Sequence, residues 1–501
     1  MSFLLTLDVG TTSVKTCVFN REFTLLGFSS EEYQLQTIGN NIVELHSDIY
    51  WEAVKSGIGR AVRLAGIKSS EISVITITTQ GETLIPVDAY GKALRNAIVW
   101  LDARAEEEAA YIGRRFEAHE VYSVTGLPEI NAACPVSKLL WIKNREPEVY
   151  HRTHKFLLLE DFLISKLTGK YVTEKSLMSS TGYFDINRGE LWQDMLDHIG
   201  IDSGKFPAIL DCGKNAGGIL LDIADDIGLS PSAIVATGAM DQAASAIGSG
   251  NIVSGIVTET TGTAMVIAAT TDLPDYSNPA KVTIYRHAVP GKFIILPYCQ
   301  TAGIVLKWFK DEFCRYESEV CCETGKSIYA YMDELAEGIP PLSNGLILLP
   351  YFAGMMTPEI NPGAKGVFFG MGLDTKKPHF IRAILESIAY MLRDQIELLE
   401  GMGVTVGEIR SLGGGSKSPL WSGIKADVNN KVIVTMDQEE STSLGAAILG
   451  SMTAGMYGSI EEACRAIKPK ERYIPEAART ALYSEGYQTY NKVYDSVKKM
   501  F

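Results

Sequence analysis

Two stretches of this chain share one pattern of apolar and polar positions. Phe3-Leu4-Leu5-Thr6-Leu7 and Val14-Lys15-Thr16-Cys17-Val18-Phe19 are rich in aliphatic, β-branched and aromatic residues, and Asp8-Val9-Gly10-Thr11-Thr12-Ser13 lies between them. That pattern predicts two strands joined by a tight Gly/Thr tip. Ser254-Gly255-Ile256-Val257-Thr258-Glu259-Thr260-Thr261-Gly262-Thr263-Ala264-Met265-Val266-Ile267 repeats it in the second half. Internal repetition of this kind points to duplicated lobes facing one cleft. Between the hairpins, 74–78 reads as a strand running into Thr79-Gln80-Gly81-Glu82-Thr83, and 84–88 as the strand that leaves it. A turn at Ala89-Tyr90-Gly91 returns the chain through 96–100 to Leu101-Asp102-Ala103-Arg104 and a helix. Residues 105–235 read as mostly helical, with Leu139-Leu140-Trp141-Ile142 and Phe162-Leu163-Ile164 as core faces and 176–185 as a polar loop.

A Thr237-Gly238 turn then leads into a small-residue helix whose first turn begins at Asp241. Later, 293–296 predicts a strand leading to Cys299-Gln300-Thr301-Ala302-Gly303 and a helix. Residues 409–412 enter Gly413-Gly414-Gly415-Ser416-Lys417-Ser418-Pro419, with a helix from about 420 and a strand at 431–435. A Gly/Ala-rich helix at 443–454, suited to close packing, and an amphipathic helix at 478–501 complete the chain.

Composition narrows the class. At 501 residues, two large lobes are expected, divided as 1–245 and 246–501. Hydrophobic content of 46% and charged content of 21% are those of a folded chain with a sizeable core. A net charge of −14 argues against a nucleic-acid or anionic-membrane surface, leaving small molecules as the expected partners and a homodimer open as the assembly. The eight cysteines are scattered without C-x-x-C spacing, so reduced and mostly buried thiols are expected. The N-terminus shows no basic segment or cleavage site, and no run is apolar enough to span a bilayer, so a cytoplasmic location is expected.

The candidate chemistry sits at the turns. At the first tip, backbone amides near Gly10 and the hydroxyls of Thr11 and Thr12 can take phosphate oxygens, Asp8 can orient a hydrated Mg²⁺, and Lys15 can reach an anion. An ordinary hairpin turn accounts equally well for that tip alone. Its recurrence at Thr261-Gly262-Thr263 favours phosphate binding at both. Asp241 faces the positive end of a helix dipole, which favours the ionised form that accepts a hydroxyl proton, although Asp is also a common helix cap. Gln80, Glu82, Trp100, Asp102 and Arg104 supply the polar groups and apolar wall that a polyhydroxylated ligand needs, with Asp102 and Arg104 equally explained as a mutual pair. Gly303 lets a flat ring lie against the backbone or simply begins a helix. The Gly413 to Ser416 turn does not fit G-x-G-x-x-G, which fails at Ser418, nor the G-x-x-x-x-G-K-[ST] pattern, since Lys417 follows Ser416; it reads as a backbone-lined nucleotide pocket or as a tight helix entry.

Taken together these residues resemble the FGGY carbohydrate kinases along essentially the whole chain. The most specific match is Gly366-Val367-Phe368-Phe369-Gly370-Met371 followed after seven residues by His379-Phe380-Ile381-Arg382-Ala383-Ile384-Leu385-Glu386, which resembles the second family signature. Pro135-Val136-Ser137-Lys138-Leu139-Leu140-Trp141-Ile142 resembles the first and departs from it at Ala133 and Arg145. The resemblance implies an α/β fold of two ribonuclease-H-like (actin-like) lobes, with ATP in a central cleft and γ-phosphoryl transfer to a sugar or polyol hydroxyl. It implies Asp241 as general base and Asp8 with Asp241 near Mg²⁺. Substrate would meet Gln80, Gly81, Glu82, Trp100 and Gln242. ATP would be held by Gly10, Thr11, Thr12, Lys15, Gly262, Thr263, Gly303, Gly414, Gly415 and Ser416.

Gly81 stands where glycerol kinases carry an arginine, and Ala133 where they carry a tyrosine. The Met-His pair of xylulose kinases is replaced by Gly81-Glu82, and the loop Gly354-Met355-Met356-Thr357-Pro358 lacks the arginine common there. A xylulose-like ketose or a polyol larger than glycerol is therefore the expected acceptor. The alternatives are a glycerol kinase-like enzyme, an ATP-gated actin-like module with a degenerate site, and acyl-phosphate formation on a carboxylate.

Overall fold

The computed structural model describes residues 2–278, 282–438 and 440–501. The chain forms two compact units. The first comprises Met1–Ile252, Thr283–Ile294 and Glu440–Ile467, and the second Val253–Val282, Ile295–Glu439 and Lys468–Phe501. The first unit thus takes back Glu440–Ile467, which a single boundary after 245 assigns to the second half. The cause is glycine packing. A Cβ on Gly445 would lie 1.8 Å from Ala244 O, and one on Gly248 1.8 Å from Ser441 O, so helices Asp241–Gly248 and Ser441–Thr453 are in backbone contact.

In the first unit, the six-stranded sheet runs Asn215–Gly218, Ile234–Met240, Ile72–Thr79, Phe3–Val9, Ser13–Phe19, Leu25–Glu32. Its middle strands are parallel, the hairpin is antiparallel, and Asn215–Gly218 closes one edge antiparallel. Leu5, Leu7, Val9, Ile75, Ile77 and Val235 are buried, as central strands between two packed layers require. A second sheet joins Leu84–Val87 to Ala97–Ile98, Ile42–Leu45 and Lys155–Leu158.

The second unit repeats the scheme. Its sheet runs Met265–Thr271, Gly255–Thr261, Val406–Leu412, Val432–Met436, Pro469–Tyr473, again an antiparallel hairpin, two parallel pairings and an antiparallel edge. The repeat read from the two hairpins is therefore a repeat of sheet topology. In each unit the first parallel strand beside the hairpin ends in a glycine turn, at Gly81 and at Gly413.

Three expectations are corrected. Thr237-Gly238 is not a turn but lies within strand Ile234–Met240, and a Cβ on Gly238 would sit 1.7 Å from Ile77 O. Residues 105–235 interleave helices with strands such as Lys155–Leu158, Val172–Glu174 and Ala208–Leu210, each too short to display a period of two. Residues 176–185 are not a solvent loop. Ser176, Leu177 and Met178 of helix Lys175–Met178 and the turn after it are buried, with the Ser180 and Thr181 hydroxyls donating to Leu177 O and Met178 O. Hydroxyls satisfied by local backbone carbonyls cost little to bury.

Candidate active site

In the first unit the hairpin tip closes through Gly10 N–H donating to Ser13 O at 2.9 Å, and Tyr33 Oη donates to Gly10 O at 2.6 Å. A Cβ on Gly10 would meet only Ser13 O, at 3.6 Å, so its outer face is open. Trp100, 37% exposed, donates its indole Nε1–H to Thr11 Oγ1 at 3.0 Å, tying the expected substrate wall to the tip. Lys15 ends in an ion pair with Glu440 at 2.7 Å.

Asp8 lies opposite Lys15 in the hairpin register and opposite Thr78 on the parallel side. Burial and the charge of Asp241 push its carboxyl up to about 7, with Lys15 pulling the other way. Asp241 opens helix Asp241–Gly248 as its first residue, and Met240 is the cap. Its Oδ1 accepts from Gln242 N–H at 2.6 Å. Burial pushes its pKa up to about 6, against the lowering effect of the hydrogen bonds from Gln242.

Glu82 holds a left-handed backbone, φ 71°, a conformation that costs a non-glycine residue energy and is characteristic of sites whose geometry matters. It accepts from Tyr285 Oη at 3.5 Å. Burial raises the Glu82 carboxyl and lowers the Lys138 ammonium, and each opposes the shift of the other. Lys138 is buried, donating to Val99 O and Trp100 O at 3.0 and 3.3 Å. A Cβ on Gly81 would stand 3.3 Å from Ser180 Oγ and 3.5 Å from Met240 Sδ.

Gln80, expected to contact ligand, is buried and donates Nε2–H to Thr83 Oγ1 at 3.2 Å. Asp102 and Arg104 form the mutual pair, 2.6 Å, and Asp102 Oδ2 also accepts from Val43 N–H. Theirs is a structural role. Arg95 and Arg104 both lie over the Trp141 ring.

In the second unit, Gly262 N–H donates to Ala264 O at 2.9 Å and leaves open space above its Cα. Gly303 has a packing reason: its N–H donates to Gly262 O, and a Cβ would be 2.4 Å from that oxygen. The glycine turn is split in function. Gly413, φ 74°, and Gly415 pack onto Thr261, while a Cβ on Gly414 would meet nothing within 4 Å. Ser416 Oγ donates to Gly413 O at 2.8 Å. Beneath lies a buried network. Lys425 Nζ and Ser411 Oγ donate to Glu259, Thr261 Oγ1 donates to Glu259 Oε2 at 2.6 Å, and Lys425 reaches Thr261 Oγ1 at 3.1 Å.

Tyr33, Tyr285, Lys138, Glu440, Glu259 and Lys425 are not legible as site residues in the sequence. Only Lys138, a lone charge in the apolar run 136–142, carries a local signal. Among the described residues no group of three or more His, Cys, Asp or Glu is gathered to hold a metal, no helix is long and apolar enough to cross a membrane, and all eight cysteines are free, six of them buried.

Residues 3–248 match the model of the FGGY family of carbohydrate kinases, N-terminal domain, and residues 256–454 that of its C-terminal domain. The chain is 28% identical to the xylulose kinase of Bacillus subtilis (strain 168) over 501 residues, covering 100% of this chain and 97% of that protein. It is 30% identical to the gluconokinase of the same organism over 479 residues, covering 95% and 92%. Among solved structures, a ligand-bound xylulose kinase from Lactobacillus acidophilus is similar with a TM-score of 0.88 at 25% identity, covering 99% of this chain and 98% of that one.

Proposed function

The chain belongs to the FGGY family of carbohydrate kinases, and from that premise we propose that it transfers the γ-phosphoryl group of ATP to a hydroxyl of a neutral ketose of the xylulose type, or of a polyol larger than glycerol, with Asp241 as general base. The observation that carries the base assignment is the Asp241 carboxyl at the start of its helix with a pKa pushed up to about 6. A base is most effective when its pKa lies near the working pH, because it is then both ionised and able to hold a proton. The acceptor hydroxyl gives its proton to Asp241 as the oxygen attacks γ-phosphorus in line, and ADP leaves.

The mutual repulsion of Asp8 and Asp241 fits a divalent cation between two carboxylates. With so few protein oxygens, Mg²⁺ would keep most of its waters and its phosphate ligands, as is usual for this ion. When bound it supplies neutralisation of phosphate charge. The open tips at Gly10-Thr11-Thr12 and Gly262-Thr263 suit phosphate oxygens, and Gly414 with Ser416 suits the nucleoside end, with Gly303 and Gly415 packed behind them. Gln242 and Trp100 flank the acceptor.

The electrostatics favour a neutral acceptor. Asp8, Glu82 and Asp241 are carboxylates, Lys15 is committed to Glu440, and Lys138 is committed to Val99 O and Trp100 O. An aldonate, the acceptor implied by the gluconokinase relative, would bring a further negative charge to this group. The absence of large side chains at Gly81 and Ala133 supports an acceptor of more than three carbons. With ATP and Mg²⁺, a ketopentose or a four- to six-carbon polyol is expected to drive ADP release at least about tenfold faster than gluconate, the factor given by one uncompensated charge contact of roughly 1.4 kcal/mol. A response to gluconate alone would overturn the neutral-acceptor reading.

The pH dependence has a definite sign. Asp241 works ionised, so kcat/KM for the acceptor is expected to be flat above neutrality and to fall as pH drops through about 6. An acid limb placed near 4, the ordinary carboxylate range, would show that burial does not govern this group in the working enzyme.

A further inference from the structure

The strand that delivers Asp241 leaves its ladder just before it ends. Ile234–Met240 pairs in register with Ile72–Thr79 as far as Thr237 opposite Ile77, and the register then shifts so that Met240 lies opposite Thr79. A shift of this kind bends a strand and re-aims the residue that follows. It also leaves the backbone groups of 238–240 in need of other partners, since buried N–H and C=O groups are costly to leave unpaired.

Side chains from three different elements supply those partners. Gly238 N–H donates to Glu160 Oε1 at 2.9 Å. Ala239 O accepts from Thr78 Oγ1 at 2.6 Å. Met240 N–H donates to Ser176 Oγ at 3.0 Å. Ser176 is itself fixed by Glu174, which accepts from Ser176 Oγ at 2.8 Å, from Ser176 N–H and Leu177 N–H at 2.5 Å each, and from Cys212 Sγ at 2.7 Å. Glu160, Glu174, Ser176 and Thr78 are fully buried.

Two buried carboxyl groups side by side are an expensive way to hold a strand. Glu160 Oε2 has no hydrogen-bond partner, and neither Glu160 nor Glu174 forms an ion pair among the described residues. Burial, then the proximity of Glu174, raises the Glu160 pKa well above the ordinary carboxylate value, and burial raises that of Glu174 against its hydrogen bonds. Glu160 Oε1 is the acceptor that holds Gly238 N–H. An apolar residue of similar volume would relieve the cost of burial but could not accept from Gly238 N–H.

We propose that Glu160 and the Glu174–Ser176 relay are positioning residues that set where the Asp241 carboxylate points, by holding the offset end of its strand. This rests on the reading of Asp241 as the base. A carboxylate one residue beyond a bulged strand end has its geometry set by the last two peptide planes, and Gly238 N–H and Met240 N–H are the groups so held.

The test is steady-state kinetics of the full chain with ATP, Mg²⁺ and the best acceptor from the panel, on Glu160→Ala, Glu160→Gln, Ser176→Ala and Asp241→Asn. Far-ultraviolet circular dichroism melts establish that each variant is folded at assay temperature. Glu160→Ala and Ser176→Ala are expected to lower kcat about 10- to 100-fold, the scale of a misplacement near 1 Å, with both KM values within about twofold. Glu160→Gln is expected to restore kcat to within about threefold, because its amide oxygen still accepts from Gly238 N–H. Unchanged kcat in folded Glu160→Ala and Ser176→Ala, or kcat and KM moving together with no rescue by Gln, overturns the proposal. Should Glu160→Ala fail to fold, Ser176→Ala decides alone. Near-normal turnover in Asp241→Asn would remove the base assignment itself, a result separate from any effect at Glu160.

Discussion

Replacing Asp241 by asparagine is expected to lower kcat by about 10²- to 10⁴-fold, the usual contribution of a positioned general base, while the KM for ATP changes little. The substitution is close to isosteric. It keeps an amide oxygen at Oδ1 to accept from Gln242 N–H, so the helix start is preserved. What it removes is the proton acceptor and one of the two carboxylates that repel each other at Asp8. The remaining Asp8 carboxyl loses a raising influence, so its ionisation is expected to move toward lower pH. The neutral amide also relieves the cost of burying a charge, and the variant is expected to be no less stable than the parent above pH 6. The sign follows from linkage: a carboxyl whose folded pKa is raised binds its proton more tightly folded than unfolded, so its charged form opposes folding as pH rises through about 6. Fast turnover in a correctly folded Asp241→Asn enzyme would leave the proposed chemistry without its base.

The contrast between what is legible in the sequence and what is not follows sequence distance. Both hairpins are legible because strand, tip and return strand lie within about twenty residues and their Gly/Thr tips differ sharply in chemistry from their flanks. Asp241 is legible as a helix start for the same local reason. Its ionisation is not, because burial is a tertiary property that the helix dipole does not reveal. The buried turn after Lys175 looks like a polar loop because Ser176, Ser179, Ser180 and Thr181 are hydrophilic by composition. Their hydroxyls are satisfied within the turn or by Glu174. Tyr285 meets Glu82 across 203 positions, and Lys15 meets Glu440 across 425, distances at which a single sequence gives no pairing signal. Glycines are the instructive middle case. Gly303, Gly413 and Gly415 read as ligand-facing in sequence, yet each has protein atoms within 3 Å of where a Cβ would be, and Gly414 alone of the four faces open space. Sequence locates such a turn, while only packing says which of its residues can approach a ligand.

Replacing Lys425 by methionine is expected to cost the second unit about 3–5 kcal/mol, the penalty for stranding one member of a buried ion pair. Lys425 and Glu259 are both 0% exposed, and Glu259 also accepts from Ser411 and Thr261. Methionine fills most of the volume and keeps contact with the Trp421 ring, over which the ammonium now lies at 4.8 Å, so the loss is electrostatic rather than a cavity. Because two compact units unfold in one chain, a single midpoint is ambiguous. Hydrogen exchange during a denaturant series separates them, and early opening is expected at Gly255–Thr261 and Val406–Leu412, with Ile72–Thr79 unaffected. Adding Glu259→Gln to Lys425→Met removes the stranded charge and is expected to recover most of the loss, leaving only the hydrogen bonds to Ser411 and Thr261 weakened. A Lys425→Met protein as stable as the parent would mean that the buried pair does not stabilise the second unit, and the double variant would then add nothing. Either way the Thr261 hydroxyl loses one of its two partners, so the hairpin tip at Gly262-Thr263 would loosen at its base. On the proposal that this tip holds phosphate through backbone amides, that loss of definition is expected to appear as a higher KM for ATP at unchanged acceptor KM, a pattern opposite to the one expected at Asp241.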